Sequence, residues 1–173
     1  MERRDDAALL LALKDGNFAA FSELVDRHQR SLINFFYHLC WDRQAAEDCA
    51  QEVFLRVYSH LDRYEPQAKF TTFLFKIARN LWIDRVRSLG ERVPARSLGP
   101  VEILAKEEQQ AALQRAIDQL PEEQKAVVIL SEIQGLKYQD ISAILEVPVG
   151  TVKSRMHTAM ERLKELLSVA ELT

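Results

Sequence analysis

The sequence predicts an all-α protein of two small helical domains joined by a flexible linker, the C-terminal domain containing a helix-turn-helix. Three observations carry that prediction. Only five Gly and five Pro occur in 173 residues, too few turn residues for an all-β fold. Apolar residues recur at three- and four-residue spacing along most of the chain. Between the periodic stretches, Ser88 to about Lys106 loses the period and collects Gly90, Pro94, Gly99 and Pro100, as a linker does. The expected boundaries are 1–87, 88–108 and 109–173.

A first helix is predicted over residues 5–16, with Leu9, Leu10 and Leu13 as its apolar stripe and Asp15, Gly16 and Asn17 as its stop. A second runs from Phe18 to about Leu39 on Phe21, Leu24, Val25, His28, Leu32, Phe35 and Phe36, where His28 reads as a packed histidine. The third begins near Arg43. It buries Ala50, Val53, Phe54, Val57, Tyr58 and Leu61, and its other face presents Asp48, Gln51, Glu52, Leu55, Arg56 and Ser59. An apolar Leu55 among polar neighbours suits a partner-binding helix, although one exposed leucine is also ordinary on a surface.

After a polar break at 63–70, RYEPQAKF, containing Pro66, comes a helix apolar on more than one side, in which Lys76, Arg79, Asn80, Arg85 and Arg87 are interleaved with Phe73, Phe75 and Trp82. Cations track phosphates and aromatic rings stack on unpaired bases, so the mixture suits single-stranded DNA, while most of the individual rings read as core. The loop from Tyr64 to Phe70 is the better candidate for holding bases turned out of the stack, because a loop can line a pocket where a packed helix cannot. Beyond the linker, Glu107–Gln119 returns to a helix. Pro121 with Glu122 and Glu123 opens the next, which buries Val127, Val128, Leu130 and Ile133 in some combination and ends at Gly135.

The stretch from Gly135 to Leu167 has a helix-turn-helix outline. A short helix with Ile141, Ile144 and Leu145 on one side is followed by a break at Glu146, Val147 and Pro148. A longer helix then carries Val152, Met156, Met160 and Leu163 at helical spacing. The small Ser142 is expected to let the two helices approach closely. The first turns of the second helix offer Thr151, Lys153, Ser154, Arg155, His157 and Thr158 to phosphates and base edges.

Composition removes other classes. The N-terminal apolar run is too short and its flanks too acidic for a signal peptide or a membrane span, which predicts a cytoplasmic protein without membrane insertion. Cys40 and Cys49 form no disulfide framework and lack the paired clusters of a zinc site, so they read as buried thiols. With no catalytic constellation, Gly-rich phosphate loop or metal-ligand set, neither an enzyme nor a cofactor is expected. The net charge of −3 is unusual for a DNA binder, but its distribution is uneven. Residues 69–87 hold Lys69, Lys76, Arg79, Arg85 and Arg87 against one acid, Asp84; residues 149–164 hold Lys153, Arg155, Arg162 and Lys164 against Glu161. Two basic patches on an acidic body suggest a protein that binds DNA poorly alone and better when a partner aligns both patches.

Three runs in order, AAEDCAQEVFLRVY, FTTFLFKIARNLWIDRVR and LPEEQKAVVILSEIQGLKYQDISAILEVPVGTVKSRMHTAMERLK, resemble a sigma factor of bacterial RNA polymerase of the extracytoplasmic-function subgroup. The resemblance covers residues from about 18 to 167. It implies that 1–87 is the region 2 domain and 109–173 the region 4 domain. It further implies that Asp48, Gln51, Glu52, Leu55 and Arg56 dock on core RNA polymerase. Tyr64, Lys69, Phe70, Lys76, Arg79, Asn80, Arg85 and Arg87 would melt and read the single-stranded downstream promoter element. Thr151, Lys153, Ser154, Arg155, His157 and Thr158 would read the duplex upstream element. An anti-sigma factor is a further partner the resemblance allows. The chain departs from the family pattern at Thr158, where many members carry Arg, at Lys137, where Ser is common, and at Asp140 and Ser142 in place of Glu and Ala. The rival expectation is a stand-alone helix-turn-helix repressor or activator, which would leave the Asp48–Arg56 face and the aromatic and basic segment without a use.

Overall fold

The computed structural model describes residues 5–88 and 105–171, with side chains described at 5–88 and 108–170. The chain divides into two compact units after Ser88. Among the described residues, regular structure is entirely helical. The linker expected at 88–108 falls mostly outside the described residues, and its last four positions already belong to a helix that starts at Ala105.

In the first unit each early helix begins at a side-chain cap, which satisfies backbone N–H groups left over at a helix start. Asp5 accepts from the Ala8 amide at 2.7 Å to open α1 (Asp6–Lys14). Asn17 accepts from Ala19 to open α2 (Phe18–Cys40), and Asp42 accepts from Ala45 at 3.1 Å to open α3 (Arg43–Ser59). Between α1 and α2 the chain reverses through Gly16 at φ +92°, a conformation glycine adopts without a Cβ clash. Trp41 ends α2 in the left-handed region at φ +53°, which strains a bulky residue; its ring packs edge-on against Tyr37 and His38, at 5.5 and 5.2 Å between centroids. A 3-10 turn (Leu61–Arg63) and a loop lead into α4 (Phe70–Ser88).

Helix α2 packs against both α1 and α3, and α3 against α4. The core is made by Leu9, Leu10, Leu13, Leu24, Leu32, Phe35, Phe36, Val53, Phe54, Val57, Leu74, Phe75 and Leu81. Two residues expected there lie elsewhere. Tyr58 is 46% exposed, its ring lying at the rim of the α2–α3 contact against Phe18 and Phe21, and Leu61 is only half-buried. His28 is packed, as expected: its Nε2 lies 2.9 Å from Asp6 Oδ2 and its ring meets Phe70 edge-on.

The second unit contains α5 (Ala105–Asp118), α6 (Glu122–Val128), α7 (Tyr138–Leu145) and α8 (Val149–Glu171), with α8 touching the other three. Pro121 stands at the N-cap of α6 rather than inside it, and its carbonyl accepts from Gln124 and Lys125. Helix α6 widens into a π-type turn over Ile129–Ile133, where Gln134 N donates to Ile129 O across five residues. Ile129 and Leu130 are buried while Ile133 is only partly covered. Lys125 is 6% exposed, and its ammonium lies 3.4 Å from Glu122 and 3.7 Å from Asp118, the pairing a buried cation requires.

Candidate protein and nucleic-acid interfaces

The helix-turn-helix is built by backbone geometry at its break. Gly135, at φ +67°, turns the chain out of the preceding helix, and Lys137 stands at the N-cap of α7 with no side-chain cap, as expected where Lys replaces a hydroxyl residue. Ile141, Ile144 and Leu145 are buried, and Glu146 ends α7 in the left-handed region at φ +56°. Ser142 does more than allow close approach, since its hydroxyl donates to the Val147 carbonyl and the Val147 amide donates to Ser142 O. This reciprocal pair closes the turn. Pro148 then offers its carbonyl to the amides of Thr151 and Val152 at the start of α8.

On α8 the buried stripe is Val152, Met156, Ala159 and Leu163; Met160, expected on it, is exposed because Ala159 and Leu163 take the contact. Lys153, Ser154, His157 and Thr158 are exposed together on the outer side, and Thr151 is half-buried. Arg155 points along the flank and meets Glu123 of α6 at 3.4 Å. His157 lies 3.3 Å from Glu161 one turn on. The hydroxyls of Ser154 and Thr158 donate to Thr151 O and Ser154 O, each at 3.0 Å, so both keep an acceptor side for a ligand while their protons are held by the helix.

On α3, Asp48, Gln51, Glu52 and Leu55 are all exposed, Leu55 by 62%. One turn on, Tyr58 is exposed and lies tilted against Phe18 of α2, with ring centroids 6.2 Å apart, extending the apolar part of this face in a way the α3 stripe alone did not signal. Arg56 is half-buried and bridges helices, reaching Glu52 at 3.5 Å and Asp84 of α4 at 3.4 Å.

On α4, Asn80 and Arg87 are exposed, and Lys76, Arg79 and Arg85 partly so. Arg85 turns back to donate to Cys49 Sγ at 2.9 Å. Burial pushes the Cys49 thiol up from its ordinary value of 9.0, and the Arg85 guanidinium pulls part of the way back. Cys40 is likewise raised, mainly by burial. The rings of Trp82 and Phe73 lie against Phe36 and Tyr64.

In the loop before α4, the side chains divide by direction. Tyr64 and Phe70, at its two ends, are each 3% exposed, whereas Glu65 through Lys69 are exposed. Neither ring faces outward as expected of a base-stacking group; Tyr64, Phe70 and Phe73 pack on one another beneath the loop. Burial, with the nearby carboxylates of Asp5 and Asp6, raises the Tyr64 phenol above its ordinary value. Phe70 falls three residues before Phe73, a helical spacing that marks it as inward, whereas its contact with the His28 ring of α2 is distant in sequence.

No described residues group three or more His, Cys, Asp or Glu side chains as a metal site, and no described helix is long and apolar enough to cross a membrane.

Two family models match. Sigma-70 region 2 matches residues 24–92 and Sigma-70, region 4 matches residues 110–163. The chain is similar to the ECF RNA polymerase sigma factor SigE of Mycolicibacterium smegmatis, 36% identical over 86% of this chain and 62% of that protein. It is also similar to the ECF RNA polymerase sigma factor SigW of Bacillus subtilis, 31% identical over 90% of this chain and 92% of that one. Among solved structures, the sigma factor RpoE in complex with the anti-sigma factor NepR, from Bartonella quintana, superposes at a TM-score of 0.70 with 26% identity, over 86% of this chain and 97% of that one. CnrH in complex with the cytosolic domain of CnrY shares the fold at a TM-score of 0.77 and 24% identity, over 95% of this chain and 97% of that one. The region 2 match falls on the unit holding the α3 face and the loop, and the region 4 match on the unit holding the helix-turn-helix. The chain belongs to the extracytoplasmic-function sigma factors of bacterial RNA polymerase.

Proposed function

We propose that this sigma factor binds core RNA polymerase and directs initiation at its own class of promoters, in the cytoplasm and without an enzymatic step of its own. Asp48, Gln51, Glu52 and Leu55 of α3 form the polymerase face, with Arg56 holding α3 to α4 behind it. The single observation that carries the reading is that this face, the loop with basic α4, and the helix-turn-helix occur in one chain. A stand-alone repressor would need only the last of them.

Upstream, Lys153, Ser154, His157, Thr158 and Thr151 meet the duplex from α8, with Arg155 aligned on the helix flank by Glu123. Thr158 offers a short hydroxyl where a guanidinium is common in the family, and this alters the base preference of the upstream site. Downstream, the exposed residues Glu65–Lys69 hold an unstacked base over the buried rings of Tyr64 and Phe70. Lys76, Arg79, Asn80, Arg85 and Arg87 of α4 lie along the separated strand. Free energy for melting comes from trapped bases and from the polymerase holding both DNA-binding units at once, so no nucleotide hydrolysis is required. An anti-sigma factor that covers both units is the natural way to keep such a protein silent.

Run-off transcription with purified core polymerase on a library of bacterial promoter fragments tests this. Promoter-selective transcripts that depend on the chain are expected. A chain that directs no transcript from any template, yet binds duplex DNA tightly by itself, overturns the proposal in favour of a repressor or activator.

A further inference from the structure

Both ends of the exposed loop Glu65–Lys69 trace back to one element, the N-terminal helix α1. At the first end, Lys14 Nζ donates to the Tyr64 carbonyl at 3.3 Å. The Tyr64 hydroxyl in turn donates across the loop to Ala68 O at 3.0 Å, and Ala68 N donates to Glu65 O at 3.0 Å. At the second end, Asp6 accepts from Arg27 at 3.1 Å through Oδ1 and pairs with His28 Nε2 at 2.9 Å through Oδ2. The His28 ring meets Phe70 edge-on at 5.0 Å, and Phe70 contacts Tyr64 at 6.5 Å. The side chains of Arg27 and His28 are 12% and 14% exposed, so the Asp6 end of the network lies in a partly dry setting where hydrogen bonds to charge are strong, while Lys14 at the other end is an exposed residue. Within the loop the Ala68–Glu65 bond closes one turn, and its two ends are anchored by the buried residues Tyr64 and Phe70.

We propose that α1 is the positioning element of the downstream-element loop: Lys14 and, through His28, Asp6 fix the loop's two ends, so the base preference of melting depends on residues that themselves touch no DNA. The inference rests on the loop being the base-binding part proposed above. Lys14 and His28 are positioning residues, acting through Tyr64 and Phe70.

The test uses the full chain with core polymerase and a promoter library randomised only at the downstream element, with the transcribed templates sequenced. Lys14→Met keeps the aliphatic stem and removes the donor; Lys14→Arg keeps a donor. His28→Leu breaks the link to Asp6 at the other end. A specific site ordinarily discriminates a wrong base by about 5- to 150-fold. In Lys14→Met that ratio is expected to fall by about threefold, with core affinity and upstream preference unchanged, and Lys14→Arg is expected to restore most of it. His28→Leu is expected to flatten the same positions.

A uniform loss of transcription over all downstream sequences, matching a loss of folded protein, overturns the inference, because it marks a merely structural role. Gln67→Ala, in the loop itself, separates the two levels of the argument. If it changes downstream preference and neither Lys14→Met nor His28→Leu does, the inference about α1 fails alone. If none of the three changes preference, the reading of the loop fails and the inference falls with it.

Discussion

Truncating Leu55 isolates the polymerase face from the fold. The side chain is 62% exposed on α3, so Leu55→Ala removes few contacts that the folded chain makes, and the expected change in stability is within about 0.5 kcal/mol. Burying a leucine fully is worth about 1.5–3 kcal/mol. With 62% of it still open, docking against an apolar partner surface can recover about 1–2 kcal/mol, or roughly 5- to 30-fold in Kd. Fluorescence-anisotropy titration of labelled chain with core polymerase reads that change, and unfolding followed by tryptophan fluorescence checks the fold. The check is selective, since both tryptophans, Trp41 and Trp82, lie in the first unit. Arg56 makes a less clean probe, because its pair with Asp84 joins α3 to α4 and its loss disturbs the scaffold as well as the face. A Leu55→Ala variant that binds core within about twofold of the parent refutes the assignment. One that binds weakly because it melts early refutes the reasoning about exposure.

Two further outcomes are expected. Lys153→Ala, at an exposed position early in α8, should weaken binding of holoenzyme to the upstream element on all sequences alike and reduce the salt-dependence slope by about one, measured by filter binding over a salt series; an unchanged slope means Lys153 faces no phosphate. The thiols of Cys40 and Cys49 are both raised above 9.0 in the folded chain, so the unfolded chain releases these protons first; their contribution to stability is complete below pH 9 and is lost as pH rises through the folded values. Urea unfolding of the first unit from pH 7 to 10 should show this decline, and replacing both cysteines by Ala should reduce the slope; an equal slope in the variant shows that the thiols are not its source.

Much of the architecture is legible in the residue pattern because helix ends carry local chemistry. Gly16, Asp42, Gly135 and the Glu146–Pro148 break each mark a boundary by a conformation or a cap that involves only near neighbours. Stripe direction is legible too, but stripe width is not. Tyr58 and Met160 sit at the margins of buried stripes, and whether a margin is covered depends on the neighbouring helix, which periodicity does not report. The π-type turn at Ile129–Ile133 begins inside the apolar run Val127–Leu130, where a one-residue shift leaves no mark on the pattern. The loop is marked in the sequence by Pro66 and its polar neighbours, but the directions of its side chains are not. The Tyr64 ring is held inward by Phe70 and Phe73, while Lys14, fifty residues earlier, holds its carbonyl and His28 packs on Phe70. Ser142 was legible as small, whereas its bond to Val147 depends on the turn it closes.

The proposal that both DNA-binding units engage one promoter together is tested most directly by measuring one promoter fragment, carrying both elements, against the chain alone and against the chain with core polymerase. Weak, sequence-indifferent binding is expected of the chain alone. With core polymerase, tight binding is expected, with opening of the downstream element detected by permanganate reactivity of unpaired thymines and loss of opening when either element is replaced. Equally tight, sequence-specific binding by the chain alone, with no opening when core polymerase is added, would contradict the proposal.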